Sequence, residues 1–227
     1  MFCKKELCLF VFMFSVFIIP GIVIAQNGSD LITAIMYQDS NKVKELVDKG
    51  VDVNYQDETY GSTPLILACQ YNFVDLAKYL IGKGADINLQ AKNGYTPLIA
   101  AAGVSEELTD LLLAKGADVK LKLKNGTGAF TTAIVGVLME RVTIAVAKKL
   151  LEKGADINES AINGDAEGYT VLMMAARNNN ADLVNFLVKE GADLNLKAKD
   201  GSTALNLAEK ESHKDMVKLL KKLGAKS

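Results

Sequence analysis

Gly84-Ala85-Asp86-Ile87-Asn88, followed shortly by Gly94-Tyr95-Thr96-Pro97-Leu98, decides the fold, because both strings recur along the chain. The first returns as Gly50-Val51-Asp52-Val53-Asn54, Gly116-Ala117-Asp118-Val119-Lys120, Gly154-Ala155-Asp156-Ile157-Asn158 and Gly191-Ala192-Asp193-Leu194-Asn195, with a truncated copy at Gly224-Ala225-Lys226. The second returns as Gly61-Ser62-Thr63-Pro64-Leu65, Gly168-Tyr169-Thr170-Val171-Leu172 and Gly201-Ser202-Thr203-Ala204-Leu205, with a degenerate Gly126-Thr127-Gly128-Ala129-Phe130. Their spacing is about 33 residues wherever no insertion intervenes, a period that marks a repeat architecture.

Each position has a physical reason. Thr63 and Thr96 suit helix N-caps, and Pro64 and Pro97 suit the first helical position, where no amide hydrogen is needed. Leu65, Ala68 and Cys69, or Leu98, Ala101 and Ala102, give a short helix a small-residue face. After a tight turn, Val74, Ala77, Leu80 and Ile81, or Leu183, Phe186 and Leu187, carry the i, i+3, i+4 spacing of an amphipathic helix. Gly84, Gly116, Gly154 and Gly191 stop that helix where a left-handed residue is required. Residues 86–94 read as an extended arm with an Asn-Gly turn, and Asp200-Gly201 offers the same turn chemistry. One unit is therefore helix, turn, helix and protruding hairpin.

This pattern resembles the ankyrin-repeat family over residues 29–227. The fold expected is an all-α solenoid of about six units: 29–59, 60–93, 94–125, 126–167, 168–200 and 201–227. The first lacks the Thr-Pro-Leu string and carries Asp30, Asp39, Lys42 and Lys44, as an N-terminal cap with a wet face should. The last carries Lys214, Lys218, Lys221 and Lys222 and reads as the C-terminal cap. Stacking between units holds such an array together, since one unit cannot bury its apolar face by itself.

Two units depart from the period. The third is one residue short, with Gly103-Val104-Ser105-Glu106 where the second has Gln70-Tyr71-Asn72-Phe73. The fourth is expanded twice. Its first helix is expected to run about five residues further, through Ile134, Val137, Leu138 and Met139, and its arm is longer through Glu159–Glu167. Repeat insertions fall in loops and often mark the binding face. The apolar stripe either packs on adjoining helices or leaves Val137 and Leu138 exposed to a partner.

The resemblance implies binding through hairpin tips and the concave face of the first helices. Carried onto this chain, the tip candidates are Glu58, Tyr60, Lys92, Asn93, Tyr95, Lys124, Glu167, Tyr169 and Lys199. The concave candidates are Gln70, Tyr71, Arg177 and Asn178. Tyrosine at successive tips fits an interface.

Composition excludes other classes. Lysine plus arginine number 26 against 27 aspartate plus glutamate, so there is no basic excess for nucleic acid. No phosphate-cradling glycine loop, paired-cysteine metal motif or nucleophile elbow appears. The one histidine, His213, sits in the turn before the last helix and reads as structural. Glu106-Glu107 and Lys148-Lys149 read as solvated. No catalytic residues, cofactor or metal are expected; the expected partner is a protein of unknown identity, and a monomer is expected.

The first 25 residues have the layout of a secretory signal. Lys4 and Lys5 precede the apolar stretch Leu7–Ile19, Pro20-Gly21 is read as a helix break, and Val23-Ile24-Ala25 offers a cleavage end before Gln26. The rival is an uncleaved anchor over residues 7–25. Cleavage removes Cys3 and Cys8, leaving Cys69, read as a small buried apolar residue in a disulfide-free domain. The expected role is an exported scaffold, inhibitor or partner protector, periplasmic or secreted, from an inferred bacterial source. The alternative is a secreted effector that binds host proteins.

Overall fold

A computed structural model describes residues 20–161 and 168–226. Twelve helices among these residues pair in chain order: α1 (Pro20–Met36) with α2 (Ser40–Asp48), α3 (Pro64–Gln70) with α4 (Val74–Gly82), α5 (Pro97–Ala102) with α6 (Glu106–Ala114), α7 (Ala129–Leu138) with α8 (Ile144–Glu152), α9 (Val171–Arg177) with α10 (Ala181–Lys189), and α11 (Ala204–Lys210) with α12 (Lys214–Leu223). The first helices of successive pairs stack on one another, and one apolar core runs the length of the stack, from Leu31 and Ile35 through Leu98, Phe130 and Leu172 to Leu220. The chain is an all-α solenoid.

The recurrent strings do the local work their residues predict. Thr63, Thr96, Thr170 and Thr203 each cap a first helix by accepting the amide hydrogen three residues on. The aspartates of the Gly-x-Asp string fold back on their own backbone: Asp86 Oδ1 accepts from Asn88 N at 2.8 Å, and Asp52, Asp118, Asp156 and Asp193 repeat the contact. Gly84, Gly116, Gly154 and Gly191 all hold φ between +88° and +101°, the left-handed conformation that ends α4, α6, α8 and α10.

The asparagines of that string act between units. Asn54 Oδ1 accepts from Asp86 N, Asn88 from Asp118 N, Asn158 from Asp193 N and Asn195 from Lys226 N, all within 2.7–2.9 Å. The rung is broken where lysine stands at position 120, since an ammonium cannot accept an amide hydrogen. Lys120→Asn is expected to supply the missing rung to Asp156 N and raise stability by about 0.5–1 kcal/mol, read as a higher urea midpoint. An unchanged midpoint would show that this junction is spaced differently from its neighbours.

The arms are tighter than the extended hairpins expected. Among the described residues the one ladder is antiparallel, β1 (Ser160–Ala161) with β2 (Tyr169–Thr170), with an isolated bridge between Lys122 and Gly128. Elsewhere neighbouring tips bond to each other, as in Lys92 N to Tyr60 O and Lys124 N to Asn93 O, both 2.9 Å.

The signal segment lies largely outside the described residues; α1 begins at Pro20 and continues through the Ala25–Gln26 junction. Gly28 sits in α1 against the Tyr55 ring and is buried. Two expectations need correction. The fourth unit's first helix, α7, has 10 residues against 6 in α5 and 7 in α3, α9 and α11, an extension of three to four and not about five. Glu106 and Glu107 are also more than a wet face. Glu106 accepts from Thr143 N at 2.8 Å, and Glu107 pairs with Lys78 at 2.7 Å, each crossing between units.

Candidate protein-binding groove

The exposed large apolar side chains among the described residues are Met36 at 58%, Tyr37 at 82%, Tyr60 at 72%, Tyr71 at 46% and Met139 at 58%. Four of them lie in the first two helix pairs, and three of those line one groove of about 570 Å³. Its floor is Ile32 and Leu67, its walls Met36, Tyr60, Tyr71 and Tyr95, and Gln70 and Asn93 bring amides to it.

Local structure places each wall. Met36 and Gln70 end α1 and α3, and Tyr71 is the C-cap of α3 with its ring stacked on Phe73 at 5.7 Å. Tyr60 rides a turn organised by Asp57, whose Oδ1 accepts from Thr59 N and Tyr60 N and whose Oδ2 accepts from Ser62 N, at 2.5–2.9 Å. Asn93 Oδ1 accepts from Tyr95 N at 3.0 Å, which fixes the next tip. Lys92 Nζ donates to the Glu58 carbonyl, so the first and second tips are clasped beside the groove. Burial raises the Tyr95 phenol above its ordinary value, which keeps it a neutral hydroxyl.

The structure therefore gathers Tyr60, Gln70, Tyr71, Asn93 and Tyr95 from the sequence candidates, with Lys92 and Glu58 beside them. Lys124 is exposed on the next tip. Arg177 and Asn178 lie apart, in a second groove of about 520 Å³ with Met174, Tyr169 and Glu211. There Arg177 Nε pairs with Glu211 at 3.3 Å, and Asn178 Nδ2 donates to the Met174 carbonyl at 2.8 Å. Glu167 lies outside the described residues, and Lys199 is exposed at its tip.

Tyr169 is not an exposed tip residue: it is 7% exposed, and its hydroxyl donates to Asp200 Oδ2 at 3.2 Å. The three tyrosines are not equivalent positions. Tyr95 and Tyr169 follow the glycine of the second string, where the side chain turns inward, whereas Tyr60 precedes it. Sequence reading missed Met36 and Tyr37. They stand 34 residues before Gln70 and Tyr71 in the repeat register, a signal hidden by the absent Thr-Pro-Leu string of the first unit.

The fourth-unit stripe is largely engaged in packing. Ile134 is fully buried, Val137 and Leu138 are half-buried against the core, and Met139 alone stands clear. Burial pushes the Cys69 thiol up to about 12, so it carries no thiolate at neutral pH. His213 Nε2 lies 3.0 Å from the Arg177 carbonyl and joins the last two units. Among the described residues no cluster of three or more His, Cys, Asp or Glu is placed to hold a metal ion, and no helix is long and apolar enough to cross a membrane.

The family model for ankyrin repeats, built of three copies, matches residues 31–123 and again 137–227. The curated protein "Ankyrin repeat and SAM domain-containing protein 6" of Rattus norvegicus is 38% identical over 64 residues, 28% of this chain and 7% of that protein. "Notch-regulated ankyrin repeat-containing protein" of Xenopus tropicalis is 43% identical over 51 residues, 22% of this chain and 45% of that protein. The chain thus spans less than half the length of these relatives. The stretch between the two matches, 124–136, holds the glycine-capped start of α7.

Proposed function

Because the chain belongs to the ankyrin-repeat family, whose arrays serve as protein–protein interaction modules, we propose that it acts without catalysis as a monomeric binder that seats a partner segment in the groove between α1, α3 and the first and second tips. The observation that carries this reading is the concentration of exposed Met36, Tyr60 and Tyr71 around one concavity. Aromatic anchors near the centre of a patch supply most of the energy of protein interfaces. The polar second groove and the packed fourth-unit stripe offer no comparable set.

The layout of residues 1–25 supports placing this binder outside the cytoplasm, periplasmic or secreted, as a scaffold, inhibitor or protector of its partner; anchorage by residues 7–25 is the other form of the same proposal. Cell fractionation with an antibody to the array separates these destinations. For binding, wild-type chain and a Tyr60→Ser/Tyr71→Ser double variant are compared as baits on the same exported fraction. The partner recovered with wild type is expected to fall by about tenfold with the variant, a loss typical of removing central aromatics. Equal recovery would move the site away from the groove.

A further inference from the structure

We infer that the array bends at one place, the junction between the fourth and fifth units, where α7–α8 and α9–α10 move as parts of two bodies about their joined arms. The stacking of first helices is uneven along the chain. α5 lies extensively against both α3 and α7, and α9 against α11, whereas α7 meets α9 over a short stretch. Helices approach according to the size of the side chains at their surfaces. The sixth residue after the cap is Cys69, Ala102 and Ala176 in α3, α5 and α9, but Ile134 in α7, followed by Val135. Ile134 is fully buried, so its bulk stands inside the stack. Close approach is kept instead between α7 and α5, where Gly136 and Gly103 meet without a side chain between them.

The polar links repeat this unevenness. Each of the other junctions is crossed by an ion pair: Lys83 to Asp48 at 2.8 Å, Lys78 to Glu107 at 2.7 Å, Lys149 to Asp110 at 2.7 Å and Arg177 to Glu211 at 3.3 Å. Among the described residues no ion pair or side-chain hydrogen bond joins α7 or α8 to α9 or α10. What joins the two sides is in the arms: the ladder of Ser160–Ala161 with Tyr169–Thr170, and Asn158 Oδ1 accepting from Asp193 N at 2.9 Å. The fourth arm is itself fixed to the first body, since Glu159 accepts from Gly128 N and Thr131 N and lies 3.3 Å from Lys122 of the preceding arm. Two bodies joined along one edge and lightly packed beside it make a hinge, in which a few residues at element ends absorb the change of angle. In a solenoid each unit contacts only its neighbours, so one light junction is enough to divide the array. The two grooves fall on opposite sides, that of Met36, Tyr60 and Tyr71 in the first body and that of Arg177 and Glu211 in the second. Bending therefore changes the distance between them, whichever of them binds.

The test uses the full chain in mild detergent with Cys3→Ser and Cys8→Ser; Cys69 is buried and takes up no label. Nitroxides are attached at exposed positions in two pairs, each reaching across one intervening unit. Asn41→Cys with Ala114→Cys lies within the first body, and Ala114→Cys with Asn185→Cys straddles the junction. Pulsed electron–electron resonance reads the spread of each distance, and circular dichroism checks that every variant keeps its helices. The straddling distance is expected to spread about twice as widely as the internal one. Asn158→Ala, which removes the rung at the light junction, should widen the straddling distance further. Asn54→Ala removes the same rung at a packed junction and should leave the internal distance unchanged. Equal spreads for the two pairs overturn the hinge, and so does a widening by Asn54→Ala as large as that by Asn158→Ala.

Discussion

Replacing Glu159 with alanine is expected to destabilise the array by about 3 kcal/mol, the scale for stripping a buried charged acceptor from several donors. Glu159 is 2% exposed, and its Oε1 accepts from Gly128 N at 2.8 Å, from Thr131 N at 3.1 Å and from the Thr131 hydroxyl, while Lys122 Nζ lies 3.3 Å from Oε2. In four other units a threonine hydroxyl caps the first helix; here the cap residue is Gly128, which has no side chain to offer. The carboxylate of the following arm therefore satisfies the start of α7 from outside, and the helix macrodipole favours a negative charge there. Alanine leaves three donors without an acceptor. Gln at this position retains one acceptor oxygen and should cost less, about 1 kcal/mol.

The decisive variant is the pair. Gly128 has φ −110° and ψ −172°, the extended conformation that Thr96 adopts at its own cap, so threonine fits the backbone. It does not fit the space, since a Cβ there would meet Glu159 Oε2 at 2.5 Å. Gly128→Thr alone should therefore destabilise. Added to Glu159→Ala, it should recover about 1 kcal/mol, the worth of a threonine cap. Urea unfolding followed by circular dichroism measures all four corners of this cycle. Simple additivity of the two changes would refute the substitution of one cap for the other.

The same comparison shows what could be read in the sequence and what could not. Threonine caps, the Pro64 and Pro97 positions and the left-handed glycines act within a few residues of themselves, so a string of letters suffices to place them. The asparagine rungs span about one repeat, and nothing in the local pattern says that Asn88 serves Asp118 and not its own turn. Glu159 looked like the start of a loop insertion because its partner Gly128 lies 31 residues away in sequence. The groove was half legible. Tyr60, Gln70, Tyr71 and Tyr95 were candidates by position, but their convergence with Met36 depends on how the first three units stack. Tyr169 is no tip residue like Tyr60 because it follows the string's glycine and Tyr60 precedes it; Asp200 of the next tip receives its hydroxyl.

Gly136→Ala is expected to destabilise the array by about 2 kcal/mol, although the helix-forming tendency of alanine predicts a gain of about 1 kcal/mol at a helical glycine. Gly136 lies in the extra turn of α7, buried, with an ordinary helical backbone, so alanine brings no conformational strain of its own. What opposes it is contact. A Cβ would lie 2.7 Å from both the Cα and the carbonyl oxygen of Gly103 and 2.9 Å from Val142 Cγ2. Two of these atoms are backbone and cannot swing aside, so α5 and α7 would have to separate and loosen the Leu98 to Phe130 stretch of core. The contact also relates the two irregular units. The third ends its first helix one residue early at Gly103, and the lengthened helix of the fourth closes over that end, with a Cβ on Gly103 itself barred by the Thr132 carbonyl at 2.7 Å. Shortening in one unit and lengthening in the next are thus complementary. Thermal unfolding of Gly136→Ala decides between contact and propensity by its sign: a lowered midpoint supports the glycine-to-glycine approach, and a raised one shows that α7 has room to spare.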